Sequence, residues 1–469
     1  MTDGAFLKTP YHPPGYLPPA ERVTNHYQAL QVLPSDVAQA QAGRCVQCDV
    51  PGCNSSCPVG QKIPQFLKEA EKGNWPAANQ IAIQSPLYGL FGQICPQQEG
   101  LCESSCTVAK VNSFGAMECT TPTHALADTI AIGGVEAAIW RKTLDSGSLV
   151  YPTPLTETGK TVAIIGAGPA GIYAATEARK AGHSVKIYDA WNEVGGLLLN
   201  GIPNFKLDKK DLPIVRQALE QSGVHFKLNT KINDNGELTL QNLLGANDAV
   251  LIATGTYADR GITNPDKREP ELIKGHEYTI PAMRFLIAHN DHVRLGVPLP
   301  PELDARDKRV VVVGPRDTGM DVVGNALRDA VAEVTVLQRH ATAGGALKEK
   351  LARGAEARVL FDSKELFHQA VPLQITAKGD HFELETRTSN GGRRVIEADM
   401  IIRATGFEME DLSRKFAMTI TPFNNGTTNI DNLFVAGDAR NGATLAVTAA
   451  QDGRRAAYAV NKYLRHLVK

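Results

Sequence analysis

The eight cysteines of this chain form one compact block of potential metal ligands. In a sequence of 469 residues they occupy Cys45, Cys48, Cys53, Cys57, Cys95, Cys102, Cys106 and Cys119. Iron–sulfur clusters need several thiolates from short loops, and a proline directly after the last cysteine of a run, here Pro58, is a recurring feature of 4Fe-4S binding. The spacing therefore predicts iron–sulfur chemistry. With Cys119 set aside, seven thiols would serve two clusters if one non-cysteine ligand completes the set.

Two other interpretations of the cysteine block stay open. Tetrahedral zinc also uses thiolates, usually as two pairs that share one ion, and the thiols could be free structural residues. A disulfide framework is disfavoured because disulfides are typical of short secreted chains. The proline-rich start from Met1 to Pro19 has no apolar core of a signal peptide, and we expect it to be an exposed arm or a partner-contacting strap. The clustering predicts a reducing, cytoplasmic location.

A glycine-rich turn later in the chain has the spacing of a dinucleotide-binding site. It follows the β-branched run Thr161–Ile165 and opens a helix, whose N-terminus would face the phosphates. The first glycine allows a tight turn, the second lets the backbone approach a pyrophosphate, and the third lets helix and strand pack closely. Asp189 follows at about the 20-residue distance expected of the acid that binds the ribose. The predicted phosphate loop consists of Gly166, Gly168, Pro169, Ala170 and Gly171.

The residues after this turn favour FAD over a nicotinamide as the first dinucleotide. Gly195-Gly-Leu197 follows the acid closely, and Phe434-Val-Ala-Gly-Asp438 lies near the C-terminus. A glycine–aspartate pair after a buried strand can place a carboxylate on a ribityl hydroxyl, although Asp438 could also be a helix N-cap or a turn residue. The predicted FAD contacts in these segments are Gly196, Leu197, Thr254, Gly255, Gly437 and Asp438.

The strand-and-turn pattern occurs a second time. Arg309-Val-Val-Val-Val313 leads into Gly314-Pro-Arg-Asp-Thr-Gly319, which is followed by a helix and a second strand. Two such units in one chain predict two dinucleotide-binding domains. The second site is predicted at Gly314, Arg316, Asp317, Thr318 and Arg339.

The order of helical and strand-like segments around these residues predicts an α/β protein. An N-terminal helical iron–sulfur domain comes first, and two Rossmann-like domains follow, the second inserted in the first. We predict a helical double-cluster domain over residues 1–150, an FAD-binding domain over 156–285 and 405–469, and a nicotinamide-binding-like domain over 286–404. The net charge of −1 gives no case for nucleic acid or an anionic membrane as the main partner. No apolar run reaches the roughly 18 residues of a membrane helix.

The ordered set of motifs resembles the small subunit of NADPH-dependent glutamate synthase. The resemblance rests on the cysteine block, the turn at Gly166, Gly195-Gly-Leu-Leu-Leu-Asn-Gly-Ile-Pro-Asn-Phe-Lys-Leu207, the Ala-Thr-Gly at Ala253 and Gly437-Asp438. The chain is also similar to the N-terminal half of dihydropyrimidine dehydrogenase and to the large subunit of NADH-dependent ferredoxin:NADP oxidoreductase. The resemblance, over residues 25–465, implies an oxidoreductase that passes electrons between NAD(P)H and a partner through FAD and two 4Fe-4S clusters. The implied partner is a large catalytic subunit or an electron carrier such as ferredoxin.

The resemblance also implies how the metal ligands divide. One cluster would be held by Cys45, Cys48, Cys53 and Cys106, and the other by Cys57, Cys95 and Cys102. Relatives complete the second set with a carboxylate or amide in a sequence like Ile132-Gly-Gly-Val-Glu136, which makes Glu136 the candidate ligand. An oxygen ligand would alter the potential of the cluster. Cys119 is a rival ligand, and Glu136 could also be a solvated helix residue.

The second turn departs from the family pattern. Relatives carry a sequence like G-G-G-D-T-A-M-D, whereas this chain has Arg316 where backbone should meet the pyrophosphate, and Pro315 removes a backbone donor. Arg316 could add a charge-assisted contact to the pyrophosphate. Alternatively, the site is degenerate and the chain is an electron-transfer subunit that exchanges electrons with a partner protein only. Of the arginines that relatives place on the 2′-phosphate, Arg339 remains, so NADPH and NADH both stay open.

A flavin belongs between a nicotinamide, which gives a hydride, and clusters, which take one electron at a time. No general acid or base stands out in the sequence, and hydride transfer does not demand one. Lys206, in the flavin-proximal stretch of the family, could lie near the isoalloxazine ring or be a surface lysine. A disulfide reductase on the same architecture would need a redox cysteine pair beside the flavin, and no cysteine follows Cys119.

Overall fold

The computed structural model describes residues 9–109, 129–233, 238–265, 267, 269–339, 347–361 and 366–467. Its N-terminal part is built from short helices joined by cysteine-bearing loops. These helices are α1 (Pro19–Arg22), α2 (Ser35–Ala42), α3 (Gly52–Ser56), α4 (Ile63–Glu71), α5 (Trp75–Ala82), α6 (Tyr88–Ile94) and α7 (Ile132–Asp145). Cys57 and Cys95 are the residues at which α3 and α6 end, so both thiols leave a helix terminus and enter a loop.

The rest of the described chain is α/β. Its strands are β1 (Thr161–Ile165), β2 (Ser184–Tyr188), β3 (Val224–Lys227), β4 (Ala249–Ile252), β5 (Ile280–Pro281), β6 (Arg309–Val313), β7 (Glu333–Gln338), β8 (Phe367–Lys378), β9 (His381–Thr388), β10 (Arg393–Ala398), β11 (Met400–Arg403) and β12 (Leu433–Val435). Its α-helices are α8 (Pro169–Lys180), α9 (Leu197–Asn200), α10 (Asp211–Gln221), α11 (Leu240–Ala246), α12 (Ala282–Leu295), α13 (Asp317–Arg328), α14 (Leu347–Phe361), α15 (Leu412–Phe416), α16 (Asp438–Asn441) and α17 (Ala446–His466).

The strands form two sheets. The first is parallel, with the order β12-β4-β1-β2-β3. The second has seven strands in the order β10-β9-β8-β7-β6-β11-β5, and its strands β8 to β10 pair antiparallel. All strands of the second sheet lie between β4 and β12 in the sequence, so the second unit is inserted in the first. The predicted α/β class and the insertion are confirmed, whereas the domain boundaries stay a prediction.

The helical part is packed directly on the first α/β unit, and the two share one hydrophobic core. The Trp140 side chain on α7 is fully buried, and its indole N–H donates to Asp211 Oδ2 on α10 at 2.9 Å. Arg141 Nη2 lies 2.7 Å from the other oxygen of the same carboxylate. These bonds fix the cysteine-bearing helices against the first dinucleotide unit.

The N-terminal arm, residues 9–33, packs against other parts of the chain. Arg22 is 6% exposed and its Nη1 lies 3.2 Å from Glu356 Oε1 on α14. Ala29 donates its backbone N–H to the Phe205 carbonyl at 2.8 Å. Of the predicted arm, Met1 to Pro19, residues 1–8 lie outside the described part and residues 9–19 are exposed or half-buried, so its role as an exposed arm or a partner-contacting strap stays a prediction. In the described chain no helix is both long and apolar enough to cross a membrane.

Candidate active site

One cleft of about 2560 Å³ joins the two glycine-rich turns. It is larger than the roughly 300–1,000 Å³ pocket of a drug-sized ligand. Its wall includes Gly166 of the first turn, Gly314 of the second, Cys95 of the helical part and Tyr11 of the N-terminal arm. Both predicted dinucleotide sites and one edge of the thiol block therefore face the same space.

The first turn makes the close approaches that its glycines predict. Gly166 has a φ of +113°, and a Cβ there would lie 2.3 Å from the carbonyl oxygen of Ala253. A Cβ at Gly171 would lie 1.9 Å from the Gly166 oxygen, so α8 passes directly beside the turn. At Gly168 a Cβ would contact Gly196 Cα at 3.7 Å, which is an ordinary distance. Gly168 lines the cleft, and its bare backbone is open to a pyrophosphate.

Asp189 is buried at the end of β2 and also lines the cleft. Its Oδ2 accepts the backbone N–H of Ala167 at 2.5 Å, and its Oδ1 accepts that of Trp191 at 2.8 Å. Burial raises the pKa of Asp189, and the two backbone donors oppose that rise. The carboxylate is thereby tied to the phosphate turn, in the place expected of the ribose-binding acid.

The other predicted FAD residues surround this turn. Gly195 donates to the Ala167 carbonyl at 2.8 Å, which holds Gly196 against Gly168. The Thr254 hydroxyl is buried and has no hydrogen-bond partner among the described residues, so a ligand in the cleft could satisfy it. The predicted residues that line the cleft on this side are Gly166, Gly168, Pro169, Ala170, Asp189, Gly196, Leu197, Thr254, Gly255 and Asp438. Two others, Gly171 and Gly437, serve the packing of α8.

Asp438 makes local hydrogen bonds and also lines the cleft. Its Oδ1 accepts the N–H and the hydroxyl of Thr444 at 3.1 and 2.6 Å, as a turn residue would. The residue is 7% exposed and lines the cleft. Burial raises the pKa of Asp438 to about 6.

The second turn repeats the backbone of the first. Gly314 has a φ of +121°, and a Cβ there would lie 2.3 Å from the Ala404 oxygen. A Cβ at Gly319 would lie 1.9 Å from the Gly314 oxygen, the same approach as in the first turn. Arg316 has φ −84° and ψ −175°, against −76° and −177° at Gly168. Any L-residue adopts this conformation without strain, so Arg316 replaces the glycine without distorting the turn.

The side chains predicted for the second site lie around the same cleft. The Arg316 side chain is exposed and makes no hydrogen bond or ion pair with the part of the chain that the structure describes, while its backbone carbonyl accepts the Met320 N–H at 2.9 Å. Arg339, just after β7, is also exposed. The residues of this site that line the cleft are Gly314, Pro315, Arg316, Asp317, Thr318 and Arg339.

The described cysteines fall into two groups. In the first group, burial raises the pKa of Cys53 to about 12, and the nearby thiols of Cys106, Cys45 and Cys48 contribute to the rise. The same four thiols line one small cavity. This is the set of four that the resemblance assigned to one cluster.

The second group contains three thiols and one carboxylate. Burial raises the pKa of Cys95, and the neighbouring Glu136 and Cys57 raise it further. Burial also raises the pKa of Cys102, to which Glu103, Glu136, Cys57 and Cys95 add. The grouping matches the second implied ligand set.

Glu136 lies on α7 and is 7% exposed, so it is not a solvated helix residue. Gln61 Nε2 donates to its Oε1 at 3.3 Å. Burial raises the pKa of Glu136 to about 8. A buried carboxylate beside three thiols fits a group that supplies positive charge. The rival ligand, Cys119, lies outside the described residues.

The described thiols are not arranged around a single metal ion. Among the described residues, no group of three or more His, Cys, Asp or Glu side chains is arranged to hold a metal ion. Zinc needs its ligands at about 2.3 Å from one centre. In a 4Fe-4S cluster each ligand binds a different iron, so grouped but separated thiols fit a cluster better than zinc.

Lys206 is not the surface lysine that was one of its two expectations, and its place in the cleft wall leaves proximity to the isoalloxazine ring a prediction. Its Nζ lies 2.9 Å from Asp321 Oδ1 and 3.6 Å from Glu349 Oε1, and the side chain is mostly buried. The sequence contained one indication that Asp321 lies near the second turn. It follows Asp317, at the start of the helix, by four residues and therefore lies on the same helix face. Glu349 comes from a different helix and had no such signal.

Two family descriptions match the chain. Residues 160–453 match the pyridine nucleotide-disulphide oxidoreductase family, and residues 22–142 match dihydropyrimidine dehydrogenase domain II, 4Fe-4S cluster. The pyridine nucleotide family implies FAD and NAD(P)H, which fit the two turns, and the second family implies a 4Fe-4S cluster, which fits the thiol block.

Individual proteins agree with these families. The glutamate synthase (NADPH) small chain of Azospirillum brasilense is 31% identical over 98% of this chain and 96% of its own length. Glutamate synthase (NADH) of Schizosaccharomyces pombe is 29% identical over 96% of this chain but 22% of its own length. A mutant of FprA from Mycobacterium tuberculosis superposes with a TM-score of 0.50 at 17% identity, covering 66% of this chain and 86% of that one, which shows the fold.

The similarity extends over nearly the whole sequence and over both parts of the fold. The chain therefore belongs to the glutamate synthase small-chain family and is an NAD(P)H-dependent iron–sulfur flavoprotein oxidoreductase that transfers electrons.

Proposed function

We propose that the chain passes electrons between NAD(P)H and a partner protein through FAD and two 4Fe-4S clusters. The observation that carries this proposal is the single cleft lined by both dinucleotide turns and by Cys95. A nicotinamide gives two electrons as a hydride and a cluster accepts one, so a flavin between them couples the two kinds of transfer. Bound in this cleft, the flavin would have the nicotinamide on one side and the second thiol group on the other.

The first turn holds FAD in this proposal. Gly168 offers bare backbone to the pyrophosphate, Asp189 binds the ribose, and Thr254 and Asp438 offer polar groups further along the cleft. The helix α8 directs its N-terminus at the phosphates, where its free N–H groups favour negative charge. These residues bind and orient the cofactor.

The second turn binds the nicotinamide dinucleotide. Its support is the backbone of Arg316, which matches that of Gly168 within about ten degrees in both torsions. The turn is therefore intact despite the substitution, and the guanidinium is available for a charge-assisted contact to the pyrophosphate. Arg339 is the group that would contact a 2′-phosphate.

The two clusters have separate ligand sets. Cys45, Cys48, Cys53 and Cys106 hold the first, and Cys57, Cys95, Cys102 and Glu136 hold the second. The mutual influence of these groups on each other's pKa values supports the division. Since Cys95 lines the cleft, the ligand set of Cys57, Cys95, Cys102 and Glu136 would hold the cluster nearer the flavin, and the clusters would supply one-electron transfer.

The partner is a large catalytic subunit or an electron carrier such as ferredoxin. The S. pombe relative supports this, because there the module occupies about a fifth of a longer polypeptide. Val50, in the loop between two ligands of the first cluster, is 89% exposed, which offers the partner a point of approach. Iron-bound thiolates need a reducing compartment, which supports a cytoplasmic location.

Anaerobic mixing of the purified protein with NADPH, NADH and dithionite tests the proposal. We expect one of the nicotinamides to bleach the flavin absorbance, followed by the broad absorbance of the clusters. Reduction by dithionite but by neither nicotinamide would contradict the working nicotinamide site and favour a relay subunit that exchanges electrons with its partner only.

A further inference from the structure

Three mostly buried charged side chains, Lys206, Asp321 and Glu349, lie between the two dinucleotide turns. Lys206 belongs to the segment after α9, next to the proposed FAD turn, whereas Asp321 lies on α13, which starts at the second turn. Glu349 comes from α14 and completes the group, with Lys206 between the two carboxylates. All three side chains line the cleft. Lys206 and Asp321 belong to the two family sequence patterns, but no role in cofactor binding has been given to either of them or to Glu349 above.

The environment of Asp321 suits a carboxylate that exchanges a proton. Burial raises the pKa of Asp321 to about 6, and Lys206 opposes that rise. Glu349 and, on the same helix, Asp317 add negative charge that raises it further. Other ionisable groups of this region are Lys209, whose Nζ donates to the Ile202 carbonyl at 2.6 Å, and Tyr16. Further charges come from Arg22, Arg353, Asp208 and Arg294.

The proposed electron route leaves one proton unaccounted for. A hydride brings two electrons and one proton to the flavin, and the oxidised nicotinamide departs. The clusters accept the two electrons but not the proton. For every two electrons that leave, the reduced flavin must therefore release one proton to return to FAD, and the cleft must take it up.

We propose that the Asp321 carboxylate, held in place by Lys206, accepts this proton through water in the cleft and passes it on by way of Glu349. The two electrons go to the clusters, one to each, and the proton goes to the carboxylate. The electrons and the proton that leave the reduced flavin are thus all accounted for. The inference rests on the proposed function, since it requires FAD in the first turn.

The test compares Asp321→Asn, which keeps the size and a hydrogen bond to Lys206 but cannot accept a proton, with the wild type. The control is Asp248→Asn, which changes the Lys160–Asp248 pair (3.2 Å) outside the cleft. Dithionite-reduced holoenzyme is oxidised by ferricyanide in H2O and in D2O, and flavin and cluster absorbances are followed separately. A positioned proton acceptor contributes roughly 10²–10⁴-fold, so we expect flavin reoxidation in Asp321→Asn to slow at least about tenfold.

Three further readouts separate a proton role from a structural one. The slow variant should regain rate when a small weak base such as imidazole is added, and Asp321→Glu, which restores the carboxylate, should recover most of the wild-type rate. In flavin-free protein, infrared titration through about pH 6 should show one carboxyl band in wild type that is absent from Asp321→Asn, and a second band, from Asp438, that both proteins share. The control should behave like the wild type.

Distinct results overturn the inference and the proposed function. Asp321→Asn with full flavin content, a wild-type reoxidation rate and an unchanged isotope effect would overturn the inference alone. If the variant does not fold, the lack of a titrating carboxyl band besides that of Asp438 between pH 5 and 7 in wild-type protein would overturn it instead. Wild-type protein that binds no flavin would overturn the proposed function before any variant is compared.

Discussion

Replacing Arg316 by alanine separates the two interpretations of the second turn. Arg316 occupies the position of a glycine, but its backbone has φ −84° and ψ −175°, which alanine also adopts freely. The side chain is exposed and pairs with no described residue. We therefore expect Arg316→Ala to change the free energy of unfolding by less than about 0.5 kcal/mol, so that any change in dinucleotide binding reports on the guanidinium itself.

The size of the binding effect follows from the kind of contact. Hydrogen bonds to charged groups contribute about 1.5–3 kcal/mol, and exposure to solvent lowers such values. We take about 1–2 kcal/mol, which corresponds to a Kd for NADP⁺ weaker by roughly 5–30-fold. The loss should be smaller at high salt, because salt screens exposed charges.

The assay is titration of the oxidised protein with NADP⁺, followed by the perturbation of flavin absorbance at low and high salt. Arg284→Ala is the control, since Arg284 pairs with Glu302 on the exterior of the same unit and does not line the cleft. Tighter binding in Arg316→Ala would mean that the side chain blocks the pyrophosphate position, and an unchanged Kd would mean that it makes no contact. Either result would refute the reasoning.

Three other substitutions test the packing and the ligand division. Gly453→Ala should destabilise the fold by about 3 kcal/mol and lower flavin content, because its Cβ would lie 2.0 Å from the Ala170 oxygen where α17 crosses α8. Thermal melting with flavin fluorescence measures both effects, and a wild-type melting curve would contradict the prediction. Asp211→Ala should cost about 1–3 kcal/mol in urea unfolding, since the buried indole N–H of Trp140 loses its acceptor; a loss below about 0.5 kcal/mol would argue against that bond. Cys57→Ser should remove one of two clusters and so halve the iron per chain, measured by iron assay and electron paramagnetic resonance, whereas unchanged iron content would reject the assignment.

Local patterns predicted the residues that share a turn or a loop. Gly166 and Gly314 have the positive φ angles that their motifs require, and each packs against the strand that the fold places beside it. These features depend on residues within a few positions of each other, so spacing alone reveals them. The grouping of the thiols also agrees with the resemblance, because a family pattern carries tertiary information that the spacing of eight cysteines does not.

Contacts between distant segments were not predictable in the same way. The Lys206–Asp321 pair joins residues 115 positions apart, and Arg22 reaches Glu356 across most of the chain. Charged residues are usually exposed, so no local pattern indicated that these groups are buried together. Similarly, only the packed fold shows that the Ala29 N–H donates to the Phe205 carbonyl.

Counting electrons tests the central claim most directly. The purified protein is reduced anaerobically with measured amounts of NADPH or NADH in one series and dithionite in another, while flavin and cluster absorbances are recorded. With FAD and two 4Fe-4S clusters we predict a capacity of about four electrons per chain, two for the flavin and one for each cluster, and flavin reduction by a nicotinamide. A capacity of about three electrons or fewer, or reduction by dithionite alone, would contradict the claim.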